Sequence, residues 1–211
     1  MNETLKKLAG HGLIPVIKID RVDDAIPLCR TLKEGGLPVA EITFRTDAAE
    51  ESIRRVHNAY PDILLGAGTV VDVEQVKRAV GAGATYIVSP GFGRGVVEYC
   101  VKNGIAVTPG AVTPTEIQYL LEYGLDVAKF FPAEQAGGLP MIRALSAPFP
   151  QMRFIPTGGV SAKNILDYLS FNKVIACGGS WMVKDEMITG GEFDKIRELV
   201  REAVSLVAQR E

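Results

Sequence analysis

Along this chain, short apolar runs rich in β-branched residues alternate with longer stretches in which apolar and charged positions recur at helical spacing. The runs are LIPVIKI from Leu13, PVAEITF from Pro38, ILLGAG from Ile63, TYIVS from Thr85, IAVT from Ile105, DVAKFF from Asp126, MRFIP from Met152 and KVIAC from Lys173. Each has the length and residue types of a buried strand. Successive runs begin roughly 20 to 26 residues apart, the repeat of consecutive βα units. In the stretches between them, Val22, Ala25, Ile26 and Cys29 share one helical face while Asp23, Asp24 and Arg30 point away. Phe193, Ile196, Leu199, Val200, Ala203 and Val204 do the same in the last helix. Boundaries carry capping chemistry: Thr113-Pro114-Thr115-Glu116 combines a Thr cap, Pro at the first helical position and Glu at the third, and Ser161 is expected to open the helix after GGV. Glycines in EGG (34–36) and GAG (81–83) end helices where a left-handed residue is needed.

Eight strands alternating with eight helices predict an α/β fold, a closed (β/α)8 TIM barrel occupying residues 1–211 as a single domain with a short N-terminal helix. An open doubly wound sheet is the competing architecture. Neither GAGTVV (66–71) nor GFGRGV (91–96) completes the dinucleotide loop G-x-G-x-x-G that such a sheet would be searched for. No linker or low-complexity segment divides the chain.

Composition narrows the functional classes. With 47% hydrophobic and 23% charged residues the chain can bury a full core. A net charge of -2, without a basic cluster interleaved with aromatics, argues against nucleic acid as a partner. No apolar stretch has the length of a membrane span, and the acids and the Gly-Pro interruption in the first nineteen residues argue against a secretory leader. Cys29, Cys100 and Cys177 are odd in number, far apart and set in periodic apolar segments, so buried free thiols in a reducing cytoplasm are expected. His11 and His57 are isolated and expected to be exposed. No clustered His/Asp set suggests a metal, and no cofactor is called for.

Against this background one residue stands out. VAKFFPAE (127–134) places Lys129 inside a run that otherwise reads as a buried strand. Its stem alone could be buried, with the nitrogen reaching water at the strand end that Pro132 enforces. The alternative is a functional amine. In a (β/α)8 barrel the chemistry lies at the C-terminal ends of strands, and the second strand ends with Glu41, Thr43 and Arg45 alternating with Ile42 and Phe44. Period-two geometry puts the polar trio on one face, and a helix-covered strand makes an outward Glu costly, so the trio is expected to face inward. Strand three ends in GAGT, where Ala67 and Thr69 share a face and the glycines permit close approach. Strand four ends in SPG, whose Pro90 and Gly91 shape a turn at the same rim. PTGGVSAKN (156–164) and CGGSW (177–181) each set paired glycines before a helix or helical turn, at the two positions where barrels commonly hold a phosphate on backbone N–H groups.

Desolvation and a nearby arginine both oppose protonation of a lysine in such an interior, leaving a nucleophilic amine. It can attack a ketone to give an imine that withdraws electrons from the adjacent carbon–carbon bond. Glu41 can shuttle protons, Arg45 can hold a substrate carboxylate bidentately, and an anion pocket on the far side can hold a phosphate.

EITFRT (41–46), GAGTV (66–70), SPG (89–91), KFFPAE (129–134), PTGGV (156–160) and GGSW (178–181), in order from about Gly12 to Trp181, resemble the bacterial 2-keto-3-deoxy-6-phosphogluconate (KDPG) and 4-hydroxy-2-oxoglutarate (KHG) aldolase family. The resemblance implies a class I aldolase barrel assembled as a homotrimer, with a phosphorylated keto acid as substrate. It implies a Schiff-base lysine at Lys129, an acid/base residue at Glu41, a pyruvate end bordered by Arg45, Thr69 and Pro90, and a phosphate site at Thr157, Gly158, Gly159 and Ser180. Lys18 stands where the family varies between apolar and basic residues and receives no catalytic role. The other readings are an aldolase for the galactonate-derived epimer, a phosphosugar isomerase or epimerase in which Lys129 is a base or electrostatic group, and a non-catalytic phosphometabolite sensor.

Overall fold

Residues 1–210 are described by a computed structural model, and the alternation of elements follows the hydrophobic pattern. Helix α1 (Glu3–His11) comes first; the Asn2 side chain caps it by accepting from the Leu5 amide at 2.9 Å, and Gly12 ends it with φ 70°. Then follow β1 (Leu13–Ile17), a 3-10 turn (Val22–Asp24), α2 (Ala25–Glu34), β2 (Val39–Thr43), α3 (Ala49–Ala59), β3 (Leu64–Gly68), α4 (Val73–Ala82), β4 (Tyr86–Val88) and α5 (Arg94–Lys102). The second half contains β5 (Ala106–Thr108), α6 (Pro114–Glu122), β6 (Val127–Phe130), α7 (Gly138–Ser146), β7 (Arg153–Pro156), α8 (Ile165–Leu169), β8 (Cys177–Gly179), α9 (Asp185–Thr189) and α10 (Phe193–Val207). The last strand is thus followed by two helices, where the sequence predicts one.

Every strand pairing is parallel, so all strand C-termini lie on one side. Six strands form one curled sheet in the order β5-β4-β3-β2-β1-β8, and β6 and β7 form a second. Between the two sheets pairing reduces to single bridges, Gly110 with Lys129 on one side, Phe154 with Val174 and Thr157 with Gly178 on the other. The chemistry of the seam explains the interruption: Pro109 follows β5 directly and has no N–H to donate, while its carbonyl still accepts from the Lys129 amide at 2.9 Å. The strand expected over KVIAC instead begins at Cys177 and runs into the glycines. Only an extended glycine fits there, since a Cβ on Gly178 would lie 2.4 Å from the Thr157 hydroxyl.

The core lies within the curl of the sheet and between it and the helices. Ile42 on β2, Phe130 on β6 and Phe154 on β7 are fully buried, and the two phenyl rings meet edge to face with centroids 6.4 Å apart. The apolar stripe of α10 delivers Ile196, Val200, Ala203 and Val207 to the interior, and α2 packs beside it. The expected capping box on α6 is present, with the Glu116 amide donating to Thr113 Oγ1 and Glu116 accepting from the Thr113 amide at 2.9 Å. Gly36 and Gly83 take left-handed conformations at the ends of α2 and α4, as the sequence requires. None of the described helices is long and apolar enough to cross a membrane.

Candidate active site

β2 carries Glu41 inward, where its side chain is 3% exposed. The space it needs comes from the neighbouring strand: Gly68 has no side chain, and a Cβ there would sit 2.2 Å from Glu41 Oε1. Beneath it lies Tyr86 of β4, whose ring occupies the space that a side chain on Gly66 would fill and whose hydroxyl donates to the Ala40 carbonyl at 3.2 Å. Burial, reinforced by the Glu41 charge, holds the Tyr86 phenol far above its ordinary pKa, so it stays neutral.

Lys129 reaches the same place from β6, the other sheet. Its backbone is fixed on both sides, the amide donating to Pro109 and the carbonyl accepting from Ala111, both at 2.9 Å. Its side chain is only 6% exposed, and Nζ lies 3.5 Å from Glu41 Oε1. The nitrogen therefore does not snorkel to water; it forms a buried ion pair across the molecule, with the Phe131 ring centroid 5.2 Å away. The charged group in contact with Lys129 is this carboxylate, and Arg45 lines the same cavity.

Above the pair opens a cavity of about 300 Å³. Lys129, Arg45, Thr69, Pro90, Thr157, Gly158, Gly159 and Ser180 all line it. Of the nine residues expected to carry catalysis or hold substrate, eight line this space and Glu41 lies against the lysine. Several local geometries differ from expectation. The ladder of β2 ends at Thr43, so Arg45 stands in the following turn, exposed, its Nε donating to Thr43 Oγ1 at 3.1 Å. Thr43 in turn donates to the Ile17 carbonyl at 2.8 Å. Thr69 lies just past β3 with φ 57°, a left-handed conformation that disfavours a β-branched residue and breaks the period-two relation to Ala67. Pro90 approaches closely enough that Gly110 can carry no side chain, since a Cβ would lie 2.1 Å from the Pro90 carbonyl oxygen.

The glycine loops also depart from the expected helix N-termini. Gly178 and Gly179 belong to β8 itself. Gly158 and Gly159 have φ of 97° and 83°, and α8 starts only at Ile165. Ser161 does not open that helix; its amide donates to Asn164 Oδ1 at 2.8 Å, and a turn over 162–164 intervenes. Any anion here would meet loop amides rather than a helix end.

Thr43, expected to face inward with Glu41 and Arg45, also lines the cavity, as do Val16, Phe131 and Val160, to which the sequence reading assigns no role. Phe131 had a signal, because it stands two residues beyond Lys129 and shares its face in a period-two pattern. Lys18 does not line the cavity; it pairs with Asp20 at 2.8 Å and Asp185 at 3.7 Å, and these partners raise its pKa, the Asp20 hydrogen bond most. His57 is exposed as expected, whereas His11 is half-buried, and burial followed by the Arg210 charge pushes its imidazole pKa down. The three cysteines are buried and free; burial pushes Cys29 up to about 12 and Cys100 up to about 11, so these thiols are protonated and inert.

A family model described as "Aldolase: KDPG and KHG aldolase" matches residues 3–199. The chain is 45% identical over 195 residues to the 2-dehydro-3-deoxy-phosphogluconate aldolase of Treponema pallidum, covering 92% of this chain and 93% of the relative. It is 43% identical to the protein of that name from Haemophilus influenzae, covering 97% of each. Among solved structures, the KDPG aldolase of Legionella pneumophila, with pyruvate captured as a covalent carbinolamine intermediate, superposes with a TM-score of 0.92 at 39% identity, covering 95% of this chain and 98% of that one. With a buried lysine–glutamate pair at the base of its cavity and these relatives along nearly its whole length, the chain belongs to the KDPG and KHG aldolase family.

Proposed function

We propose that this protein is a class I aldolase that cleaves 2-keto-3-deoxy-6-phosphogluconate to pyruvate and glyceraldehyde 3-phosphate, and 4-hydroxy-2-oxoglutarate to pyruvate and glyoxylate. The observation that carries this reading is the Lys129 amine, buried 3.5 Å from the Glu41 carboxylate at the base of an open cavity. The carboxylate takes the ammonium proton as substrate displaces water, and the freed lone pair attacks the C2 ketone. The carbinolamine that forms loses water, assisted by Glu41, to give an iminium. Removal of the C4 hydroxyl proton, by Glu41 directly or through water, breaks the C3–C4 bond. The aldehyde departs, and the bonding electrons pass into an enamine. Protonation at C3 and hydrolysis release pyruvate and return the free amine.

The remaining lining residues suit the two ends of such a substrate. Arg45, with Thr69 and Pro90, holds the carboxylate of the pyruvate half, and Thr157, Gly158, Gly159 and Ser180 hold the phosphate. No metal or other cofactor is required, because the iminium is itself the electron sink.

The bridges at Gly110–Lys129 and Thr157–Gly178 support a fold in which the two sheets close one (β/α)8 barrel, a single domain over residues 1–211. Three buried free thiols suit a reducing cytoplasm, and family resemblance supports a homotrimer, measurable by sedimentation.

Borohydride reduction in the presence of pyruvate tests the mechanism. Mass spectrometry should find a pyruvate-derived adduct on the peptide containing Lys129, and Lys129→Ala should abolish it. Wild-type protein left unmodified would falsify the imine mechanism.

A further inference from the structure

The segment that follows Lys129 does more than end a strand. Ala133 donates its amide to the Thr157 carbonyl at 2.8 Å, and Glu134 donates its amide to the Gly158 carbonyl at 3.1 Å. The third carbonyl in the row, that of Gly159, accepts from Asn164 Nδ2 at 3.1 Å. Three consecutive carbonyls of the cavity loop are thus held by hydrogen bonds, while among the described residues nothing accepts from the amides of Gly158, Gly159 or Val160. The Glu134 stem lies directly against the loop: a Cβ on Gly159 would sit 2.4 Å from Glu134 Cγ. The far end of the same side chain accepts a hydrogen bond from the hydroxyl of Tyr168, a buried residue of α8. The glutamate is fixed at both ends, by its own backbone on the loop and by a phenol from behind it.

We propose that Glu134 and Tyr168 are positioning residues: their hydrogen bond clamps the Thr157–Gly159 backbone so that the loop's free amides face the phosphate end of the substrate. The inference rests on the reading of this loop as the phosphate site. Gly158 and Gly159, both left-handed, have the conformational freedom to turn their peptides elsewhere, and the clamp removes that freedom.

The test compares the phosphorylated keto acid with the same keto acid lacking its phosphate. Tyr168→Phe and Glu134→Ala should each raise KM for the phosphorylated substrate by about tenfold, the loss of one hydrogen bond's contribution. They should leave kcat, the pyruvate–borohydride adduct on Lys129 and turnover of the unphosphorylated substrate near wild type. Glu134→Gln, which keeps the stem and an acceptor, should behave like wild type. An equal loss for both substrates, or none for either, overturns the clamp while leaving the loop's role standing. Wild-type protein with no preference for the phosphorylated substrate and no competitive inhibition by inorganic phosphate overturns the reading of the loop, and the clamp with it.

Discussion

At Gly68, one hydrogen atom in place of a methyl group decides where the Glu41 carboxyl can lie. A Cβ would fall 2.2 Å from Oε1 and 2.8 Å from Cγ, so Gly68→Ala must swing the side chain away from Lys129. The atoms displaced belong to a flexible side chain, and the fold should survive. Turnover should fall on the order of a hundredfold, as for a catalytic group misplaced by about an ångström. Thermal unfolding measured beside a pyruvate-release assay checks this; unchanged turnover would remove Glu41 from the mechanism. Thr43 makes a second case. Its hydroxyl donates to Ile17 and accepts from Arg45 Nε, leaving the terminal nitrogens of the guanidinium to fork toward a carboxylate. Thr43→Val should raise KM about tenfold by releasing the arginine, and Thr43→Ser should restore it. Equal kinetics in the two variants would show that Arg45 needs no such support. Both arrangements were only half legible in the sequence. The glycines of GAGT announce close approach, but which side chain fills the space depends on the register of β2 against β3, where Thr43 stands opposite Gly68.

Element boundaries were legible where the chemistry is local. The α6 capping box closes within four residues and can be read directly from Thr113 to Glu116. Thr113→Ala should cost about 1 kcal/mol of stability, seen as a lower urea midpoint with unchanged slope. Because α6 does not line the cavity, kcat should not change; a kinetic effect would mean that this helix acts on the site. The start of α8 was not legible. Ser161 has the identity of a cap, yet its amide is taken by Asn164, whose side chain also reaches back to Gly159. That bridge stabilises a turn before the helix, and nothing in the local pattern distinguishes it from the cap. Strand ends shift for a similar reason. Arg45 and Thr69 reach the cavity through turns rather than through the ladders expected to carry them.

At the scale of the molecule, the alternation of elements was legible because each strand and helix announces its own periodicity. The meeting of residues 88 positions apart at 3.5 Å was legible only through the inward polar positions and the family resemblance, because no local pattern pairs them. Glu41 belongs to the six-stranded sheet and Lys129 to the β6–β7 pair, so the candidate site straddles the seam between them. If the seam were weak, the smaller sheet would open by itself and take the lysine away from its acid. Opening would have to separate the buried ion pair and break the hydrogen bonds of Lys129 to Pro109 and Ala111 as well as those on the other side, from the Phe154 amide to the Lys173 carbonyl and from the Ile175 amide to the Phe154 carbonyl. Each carries a desolvation penalty that the ladder inside one sheet does not add. Native-state hydrogen exchange should therefore find the amides of Ala128 and Ile155 opening with the same free energy as those of Ile42 and Leu65, as one cooperative unit. Replacing Lys129 with Met keeps the stem but strands a buried carboxylate, at a cost of about 3–5 kcal/mol, and Glu41→Gln in the same chain should recover much of it. If β6 and β7 exchanged faster than β2 and β3 already in the wild type, the two sheets would be separable units, and the pairing of acid and amine would depend on ligand rather than on the fold.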